Sequence, residues 1–430
     1  MSLRRRGVVV MGAAVTAASL LLAGCGGGSE SDPEAASGGK VTIDWWHIGT
    51  TEPNKTIYDG WVKAYQAQHP NVTIQVTSLE NDAFKSKMAT VTTAASAPDI
   101  FSTWGGGVLK QQLDAGIIKD LSVDADAIGT FTPAALAAYQ IDGKTYGIPV
   151  DVGMVGFWYN KKLFAEAGVT EPPATWSAFL DTVKKLKAAG TTPIALAGKE
   201  KWPGHYYWTY LAMRTAGLDA LKQAATTHDF TGPGFVDAGR KLKELADLEP
   251  FQKGFANAAY STPDGQAALV GGGKAGMELM GQWAPAVEKD AGGGIGEDLG
   301  FFPFPAVEGG QGAATEALGG GNGFAVGADA PAEAVDFLKF ISQMENQKKF
   351  VESGAGLPSQ TGAEEAIKDA NLKTVATTLA GATGFQLYLD QAYPPAVGQE
   401  INDSVAGLIA GSKTPEEVAA AITETAKAEG

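Results

Sequence analysis

The sequence predicts an α/β fold in two lobes, and three observations carry that expectation. Strand-type and helix-type hydrophobic periodicity alternate three times between Lys40 and Gly116, and a second series of the same kind follows Tyr146. About 390 residues follow the first forty, more than the roughly 250–300 that one core supports. The chain has 430 residues and a single cysteine, Cys25. Neither disulfides nor a thiolate metal site can therefore hold the body together, and a hydrophobic core must.

The first segment has the three-part layout of an export signal. Arg4, Arg5 and Arg6 precede an apolar stretch over 8–23, which is broken by Gly12, Thr16 and Ser19 and falls short of the roughly 20 residues a membrane span needs. The order Leu22-Ala23-Gly24-Cys25 resembles a bacterial lipobox, in which cleavage before the cysteine leaves its thiol joined to diacylglycerol. A lone cysteine can also be a buried hydrophobe or a nucleophile; its place after an export signal favours lipidation. Arg5-Arg6 hints at a twin-arginine signal. Residues 1–25 are thus read as signal and lipobox, and 26–40, "GGGSESDPEAASGGK", as a flexible polar tether. Without the three signal arginines, 30 basic side chains face 48 acidic ones, about −18 overall. Nucleic acid is not an expected partner, because phosphate contacts need clustered Lys and Arg.

Residues 40–46 read as a strand, and Ile57, Trp61 and Tyr65 recur at helical spacing before Pro70. Val72, Ile74 and Val76 alternate as in a strand, and Phe84, Met88 and Val91 share a helix face. A strand around Ile100 and Phe101 precedes a helix bearing Leu109 and Leu113 that stops at Gly116. This alternation implies a parallel sheet with helices on both faces. The extended stretch over 146–164, "YGIPVDVGMVGFWYNKKLF", suits a strand passing from one lobe into the other. Thr175 caps a helix bearing Phe179, Val183 and Leu186, which ends at Gly190. A strand over 193–197, a helix from about Pro203 and a strand over 274–280 continue the pattern. "FFPFP", 301–305, is expected to be a second crossing, since proline suits an extended segment outside a sheet interior. A short strand over 323–326 and a helix over 333–350, with Val335, Leu338 and Ile341 inward, follow. At the end, Val397, Ile401, Val405 and Leu408 line one helix face, and Thr414-Pro415-Glu416-Glu417 forms a capping box.

In open α/β sheets, ligands bind beyond the carboxyl ends of the strands. The sequence places Trp46 and His47 after the first strand, Glu80 and Asn81 after the second, and Trp104 and Gly105 after the third. In the second series the corresponding places hold Trp202 and Trp283, with Asp151 near the first crossing. Indole faces and short polar groups together are what a sugar ring requires. Its C–H face lies on aromatic rings and its hydroxyls take directional bonds from carboxylates and amides.

Of the nine tryptophans, Trp45, Trp61, Trp158, Trp176 and Trp208 are assigned to cores, and Trp46 fits either a core or a ligand site. Glu80 and Asn81 fit either a helix cap or a ligand contact. The four histidines, His47, His69, His205 and His228, show no metal-type spacing. "GGGKAG" fails as a phosphate loop, because Ala268 stands where its first glycine belongs and Ala275 follows Lys274. "GGGNGFAVG" lacks the helix a dinucleotide site needs. Among 48 acidic residues, accidental pairs are inevitable, so carboxylate pairs alone do not point to glycoside hydrolysis.

The segments "PDIFSTWGGGVLKQQLDAGIIKDL" (98–121), "DGKTYGIPVDVGMVGFWYNKKLFAEAGV" (142–169), "PPATWSAFLDTVKKLKAAG" and "GGKAGMELMGQW" resemble the extracellular solute-binding proteins of carbohydrate ABC importers, the family that includes maltose-binding protein. "WWHIGTTEP" and "LENDAFK" look most like actinobacterial members that handle xylobiose and related oligosaccharides. The resemblance implies a two-lobed type II periplasmic-binding fold with three interlobe crossings near Pro149, Phe302 and Phe350. On that division, 41–148 plus 303–350 form one lobe and 149–302 plus 351–430 the other. It implies Trp104, Trp202 and Trp283, with Tyr206, at the ligand, and Glu80, Asp151, Asn322 and Asp390 as hydroxyl partners. Gln386 and Tyr388, in "FQLYLDQ", fall in a segment that contributes to the cleft in this family. Gly49 stands where the resemblance leads one to expect a bulkier polar residue.

The expected protein is thus a monomeric lipoprotein outside the cytoplasm. It captures a short oligosaccharide, catalyses no reaction, needs no cofactor and passes its ligand to the transmembrane subunits of an ABC permease. A glycan-acting enzyme and a receptor for a non-sugar solute are the rival readings.

Overall fold

The computed structural model describes residues 39–124 and 128–429. Cys25, the expected signal and nearly all of the expected tether lie outside the described residues. Among those described, no helix is long and apolar enough to cross a membrane.

The first lobe is built on β1 (Val41–His47), β2 (Val72–Ser78) and β3 (Ile100–Thr103), with β1 parallel to both neighbours. Alternation in VTIDWWH buries Ile43, Trp45 and His47 on one face. The helix Asn54–Gln68 packs there because Tyr58, Trp61 and Tyr65 share its buried side, and the Tyr58 ring lies 5.3 Å from that of Trp45. On the other face, Phe84 and Met88 of the helix Asn81–Thr93 and Leu109 of the helix Gly106–Asp114 cluster with Phe101. Helices therefore cover both faces, as the alternation implied.

A hairpin, β4 (Gln140–Ile141) and β5 (Lys144–Thr145), leads into β6 (Ile148–Pro149), β7 (Asp151–Met154) and β8 (Gly156–Asn160). The remaining strands are β9 (Thr192–Ile194), β10 (Ala275–Met280), β11 (Leu299–Phe302), β12 (Glu316–Gly320), β13 (Gly323–Val326), β14 (Leu357–Pro358) and β15 (Gly384–Leu387). They form three larger sheets, ordered β2-β1-β3-β13-β6, β11-β8-β10-β9 and β14-β7-β12-β15.

Several expectations change here. The single strand expected over 146–164 is three short strands, one in each sheet, followed by the helix Lys161–Glu166. Neither principal sheet is wholly parallel. In the first, β13 runs antiparallel to β3 and β6, and in the second, β8 runs antiparallel to β10 and β11. These strands arrive from distant parts of the chain, so the local crossover rule that fixes β1 to β3 does not govern them.

The Phe301–Pro305 segment is not a crossing. β11 pairs with β8, and Phe304 lies 4.6 Å from Tyr210 and 5.8 Å from Trp176 by ring centroids, within the second lobe. The chain rejoins the first sheet at Gly323, after β12 and the turn through Gly321 and Asn322. The helix expected over 333–350 is two helices, Ala332–Ile341 and Met344–Glu352. The break is stabilised because Gln360 Nε2 donates to Ser342 O at 2.7 Å and Asn346 Nδ2 to Phe340 O at 2.8 Å, satisfying carbonyls that a helix end leaves free. Past Phe350, β14 pairs with β7, and Ser359 Oγ donates to Pro149 O at 3.0 Å.

Local signals hold where the partner is local. Thr175 caps the helix Trp176–Ala188 by accepting from Ala178 N. At the chain's end, Thr414 N donates to Glu417 Oε2 at 2.7 Å while Glu417 N donates to Thr414 Oγ1 at 3.2 Å, the reciprocal bonds of a capping box.

The second lobe buries two acids against one another: Glu278 on β10 and Glu288 on the helix Ala284–Gly292 are both fully buried. Gln266 Nε2 donates to Glu278 Oε2 at 2.6 Å. Burial pushes Glu278 up to about 7 and, with the neighbouring Glu278 charge, holds Glu288 well above the ordinary carboxyl range. Two carboxylates in one dry site cannot both ionise, so a proton is held between them. Because their folded-state affinity for the proton exceeds that of the unfolded chain, this contribution to stability is present in acid and is lost as pH rises through about 7. The melting temperature should fall as pH rises from about 4.5 through about 7, and Glu288→Gln, which keeps a donor without a titrating proton, should flatten that fall. Parallel thermal melts of both proteins check this; identical slopes contradict it.

Candidate functional site

β1, β2 and β3 are parallel, so their carboxyl ends lie on one side of the first lobe. The chain following them lines a cavity whose free space, open solvent included, is about 990 Å³. Ile48 to Thr51, Asn54 and Tyr58 come from the first strand end and the helix after it, Glu80, Asn81 and Lys85 from the second, and Trp104 from the third. The facing wall is Trp202 and Tyr206 of the helix Trp202–Thr215, Tyr260, Ser261, Trp283 and Val287, with Tyr388, Asp390 and Gln391. Gly321 and Asn322, from the turn between β12 and β13, also line it.

Of the expected site residues, the structure gathers Glu80, Asn81, Trp104, Trp202, Tyr206, Trp283, Asn322, Tyr388 and Asp390 in one cavity. Glu80 occupies the N-cap position of the helix Asn81–Thr93 but makes no side-chain cap bond. The facing wall is a chain of rings: Trp202 to Tyr206 at 5.8 Å, Tyr206 to Tyr388 at 5.4 Å and Tyr388 to Trp283 at 6.3 Å. Trp104 answers from the first lobe, set edge-on against Phe84 at 5.8 Å. Trp202 Nε1, Tyr388 OH and Gln391 Oε1 are buried without a protein partner. Buried polar groups are normally paired, and these three line the cavity, where a ligand or water is able to reach them.

One ion pair bridges the walls, Lys85 Nζ to Asp390 Oδ2 at 3.0 Å. Burial works to raise the Asp390 pKa, yet the Lys85 charge and His205 hold it below the ordinary range. His205 is itself fully buried, 3.9 Å from Asp390, and burial lowers its proton affinity.

Five expected contacts stand outside this wall. Trp46 lies on the face of β1 opposite Trp45, with Lys87 Nζ 3.7 Å from its ring centroid. His47 is wedged against Trp45 and Tyr58 at 4.5 and 4.9 Å; burial brings it down to about 4, and its neutral Nδ1 accepts from Gly49 N. Gly105 has φ 76°, and a side chain there would meet Ala138 O at 2.2 Å, so it serves backbone approach. Gln386 sits on β15 and donates to Leu387 O.

Asp151 serves the crossings. Its Oδ1 accepts from Asn322 N at 2.5 Å, its Oδ2 from Asn322 Nδ2 at 3.2 Å, and Gln282 Nε2 approaches at 3.5 Å. Burial nonetheless outweighs these bonds and pushes it up to about 6.

Sequence reasoning did not find Thr50, Thr51, Asn54, Tyr58, Lys85, Tyr260, Ser261, Gly321 or Gln391. Gly49 does line the cavity, and a Cβ there would lie 2.8 Å from the Tyr58 ring, so the tyrosine requires the missing side chain. Lys85 was legible only as a polar residue beside Phe84. Tyr260 and Ser261 sit in an irregular loop with no periodicity to mark them.

The family model for bacterial extracellular solute-binding proteins matches residues 49–348. The chain belongs to that family. A solved structure from work on xylan utilization by the thermophilic bacterium Caldanaerobius polysaccharolyticus superposes on it with a TM-score of 0.83 at 29% identity, covering 89% of this chain and 99% of that one. A probable sugar-binding periplasmic protein of Mesorhizobium japonicum is 28% identical over 358 residues, 81% of this chain and 83% of that protein. A putative binding protein of Brucella abortus is 31% identical over 221 residues; there the match spans about half of each, 50% and 52%. The solute-binding protein thus has the two-lobed, maltose-binding-protein-like fold with three interlobe crossings, and the cavity lies where the lobes face one another.

Asp151→Ala should destabilise this solute-binding protein by about 1–3 kcal/mol, because it strands the Asn322 donors. Asp151→Asn, which keeps an acceptor, should cost less. Urea unfolding of both variants decides it, and equal losses would contradict the role given to the carboxylate.

Proposed function

We propose that this solute-binding protein is the receptor of an ABC importer, capturing a sugar or short oligosaccharide between its lobes and delivering it to the permease. Xylobiose or a related oligosaccharide is the first choice of ligand. The observation that carries the reading is the composition of the cavity wall: indoles and phenols from both lobes interleaved with Glu80, Asn81, Asn322 and Gln391. Aromatic area fits the C–H face of a pyranose, while carboxylates and amides pair with its hydroxyls. A wall with unpaired buried polar groups rejects ligands that lack matching hydroxyls. The relation to a xylan-utilization protein supports the xylo-oligosaccharide choice, and the Mesorhizobium relative supports sugar more broadly.

The reading includes an export signal, a lipid on Cys25 and a tether over 26–40 that leaves a monomeric body free beside its permease. It takes 41–148 with the strand from Gly323 onward as first-lobe sequence, and the chain from 149 past Phe304 with the C-terminal helices as second-lobe sequence. Closure is a population shift, driven only as far as sugar binds the closed form more tightly.

A thermal-shift panel of xylobiose, other disaccharides and a dipeptide tests the ligand class. A ligand of the native state at about 100 times its Kd adds about 2.7 kcal/mol of stability. Sugar should raise the melting temperature and dipeptide should not; the reverse overturns the assignment. Shortened products after incubation with xylo-oligosaccharides would instead reveal an enzyme.

The two tryptophans Trp104 and Trp283, both of which line the cavity, are tested separately by calorimetry. Trp104→Ala and Trp283→Ala should each weaken sugar binding by at least about tenfold, or about 1.4 kcal/mol, in protein that still unfolds cooperatively, while Trp104→Ala, which empties a place against Phe84, also lowers the melting temperature of the free protein. Unchanged affinity in both would remove the stacking argument.

A further inference from the structure

Three glycines follow Trp104, and the backbone accounts for only two of them. Gly105 and Gly106 have φ of 76° and 57°, angles that side chains disfavour. Gly107 lies within the helix Gly106–Asp114 without such an angle, at a place where alanine would suit the helix better. What excludes a side chain there is the other lobe. A Cβ on Gly107 would lie 2.4 Å from both the carbonyl carbon and the oxygen of Tyr393 and 2.8 Å from Pro394 N. These are backbone atoms, so no change of rotamer relieves the contact.

The opposing segment, 388–393, is held firmly in the second lobe. The Tyr393 ring stands edge-on to Phe230 at 5.6 Å, and Gly398 of the helix Pro395–Ile409 backs Asp390 so closely that a Cβ there would sit 2.5 Å from Asp390 O. The segment brings Tyr388, Asp390 and Gln391 into the ligand cavity, which Trp104 also lines. Gln391 Oε1 is buried there without a protein partner.

We propose that Gly107 is a positioning residue for ligand binding: by letting the two backbones touch, it sets the distance between Trp104 and the segment that carries Tyr388, Asp390 and Gln391. The inference rests on the sugar-binding reading above. Heavy atoms in ordinary contact lie about 3.5 Å apart, so one methyl at 107 drives the segment back by about 1 Å. A hydrogen bond of about 2.8 Å stretched by that much is no longer one. A ligand held from both walls then loses the contacts of one of them.

The test compares Gly107→Ala with Gly60→Ala, a helical glycine of the first lobe whose Cβ would meet nothing within 4 Å. In calorimetry with xylobiose, Gly107→Ala should weaken binding about tenfold with its melting temperature retained, while Gly60→Ala should leave affinity within about twofold. In a Gln391→Ala background the loss caused by Gly107→Ala should shrink to about threefold or less, because part of what it displaces is already gone. Unchanged affinity, a loss that comes with a lower melting temperature, or a full tenfold loss in that background overturns the proposal. A crystal structure of sugar-free Gly107→Ala reads the spacing without any ligand. There 388–393 should stand about 1 Å farther from residue 107, and a segment left in place overturns the proposal. If wild type binds neither xylobiose nor the other disaccharides, the sugar reading has failed, and the spacing measurement still decides the role of Gly107.

Discussion

The arrangement of the lobes depends on one buried carboxylate. Asp151 begins β7, immediately after β6 leaves the first sheet, and it binds Asn322, the residue at which β12 hands over to β13. Val150 N also donates to Asn322 O at 2.8 Å, so side chain and backbone tie the same two crossings. The third approaches through Gly356, where a Cβ would lie 2.8 Å from Asp151 Oδ2. Gly321 is held still closer, since a Cβ there would sit 2.1 Å from Asp151 O. An unpaired charge at this depth would be strongly unfavourable; convergent donors offset much of that cost and fix where the chain passes between lobes. The cavity inherits this geometry, because Asn322 lines it directly and Gln282, which reaches Asp151, precedes Trp283.

The Lys85–Asp390 pair is a different kind of constraint. The Asp390 side chain is 5% exposed and that of Lys85 32%, so the acid is desolvated while the amine still meets water. Such a pair adds little net stability, since desolvation and attraction nearly cancel, but losing one partner leaves the other charge stranded. Its value is positional: it orients Asp390 in the wall and holds the Lys85 amine 5.3 Å from the Trp104 ring centroid.

What was legible in the sequence follows from what is local. β1 to β3 and their helices form in chain order, so reading the residues after each strand found Glu80, Asn81 and Trp104. Thr175 and the Thr414–Glu417 box were readable because a cap closes within a few residues. The failures are non-local. Nothing in "GFAV" tells that β13 will enter antiparallel beside β3, and nothing in "FFPFP" tells that Phe304 will prefer Tyr210 to a crossing. Trp45 and Trp46 show a third limit. Period-2 alternation puts them on opposite faces, but both faces are covered by helices, so hydrophobicity alone does not say which one a ligand meets. Asp151 was rightly singled out near a crossing. Its assignment to hydroxyls overlooked that the crossings themselves present buried donors needing an acceptor.

The unpaired atoms of the wall decide which occupants the cavity favours. Trp202 Nε1, Tyr388 OH and Gln391 Oε1 are already buried and have no protein partner. No protein group satisfies them, so each carries the cost of a buried polar atom until water or a ligand pairs with it. All three stand on the facing wall, where a polyhydroxylated ring is able to pair with them. A solute with fewer hydroxyls leaves more of them unpaired, so the wall discriminates by hydrogen bonding as well as by apolar area.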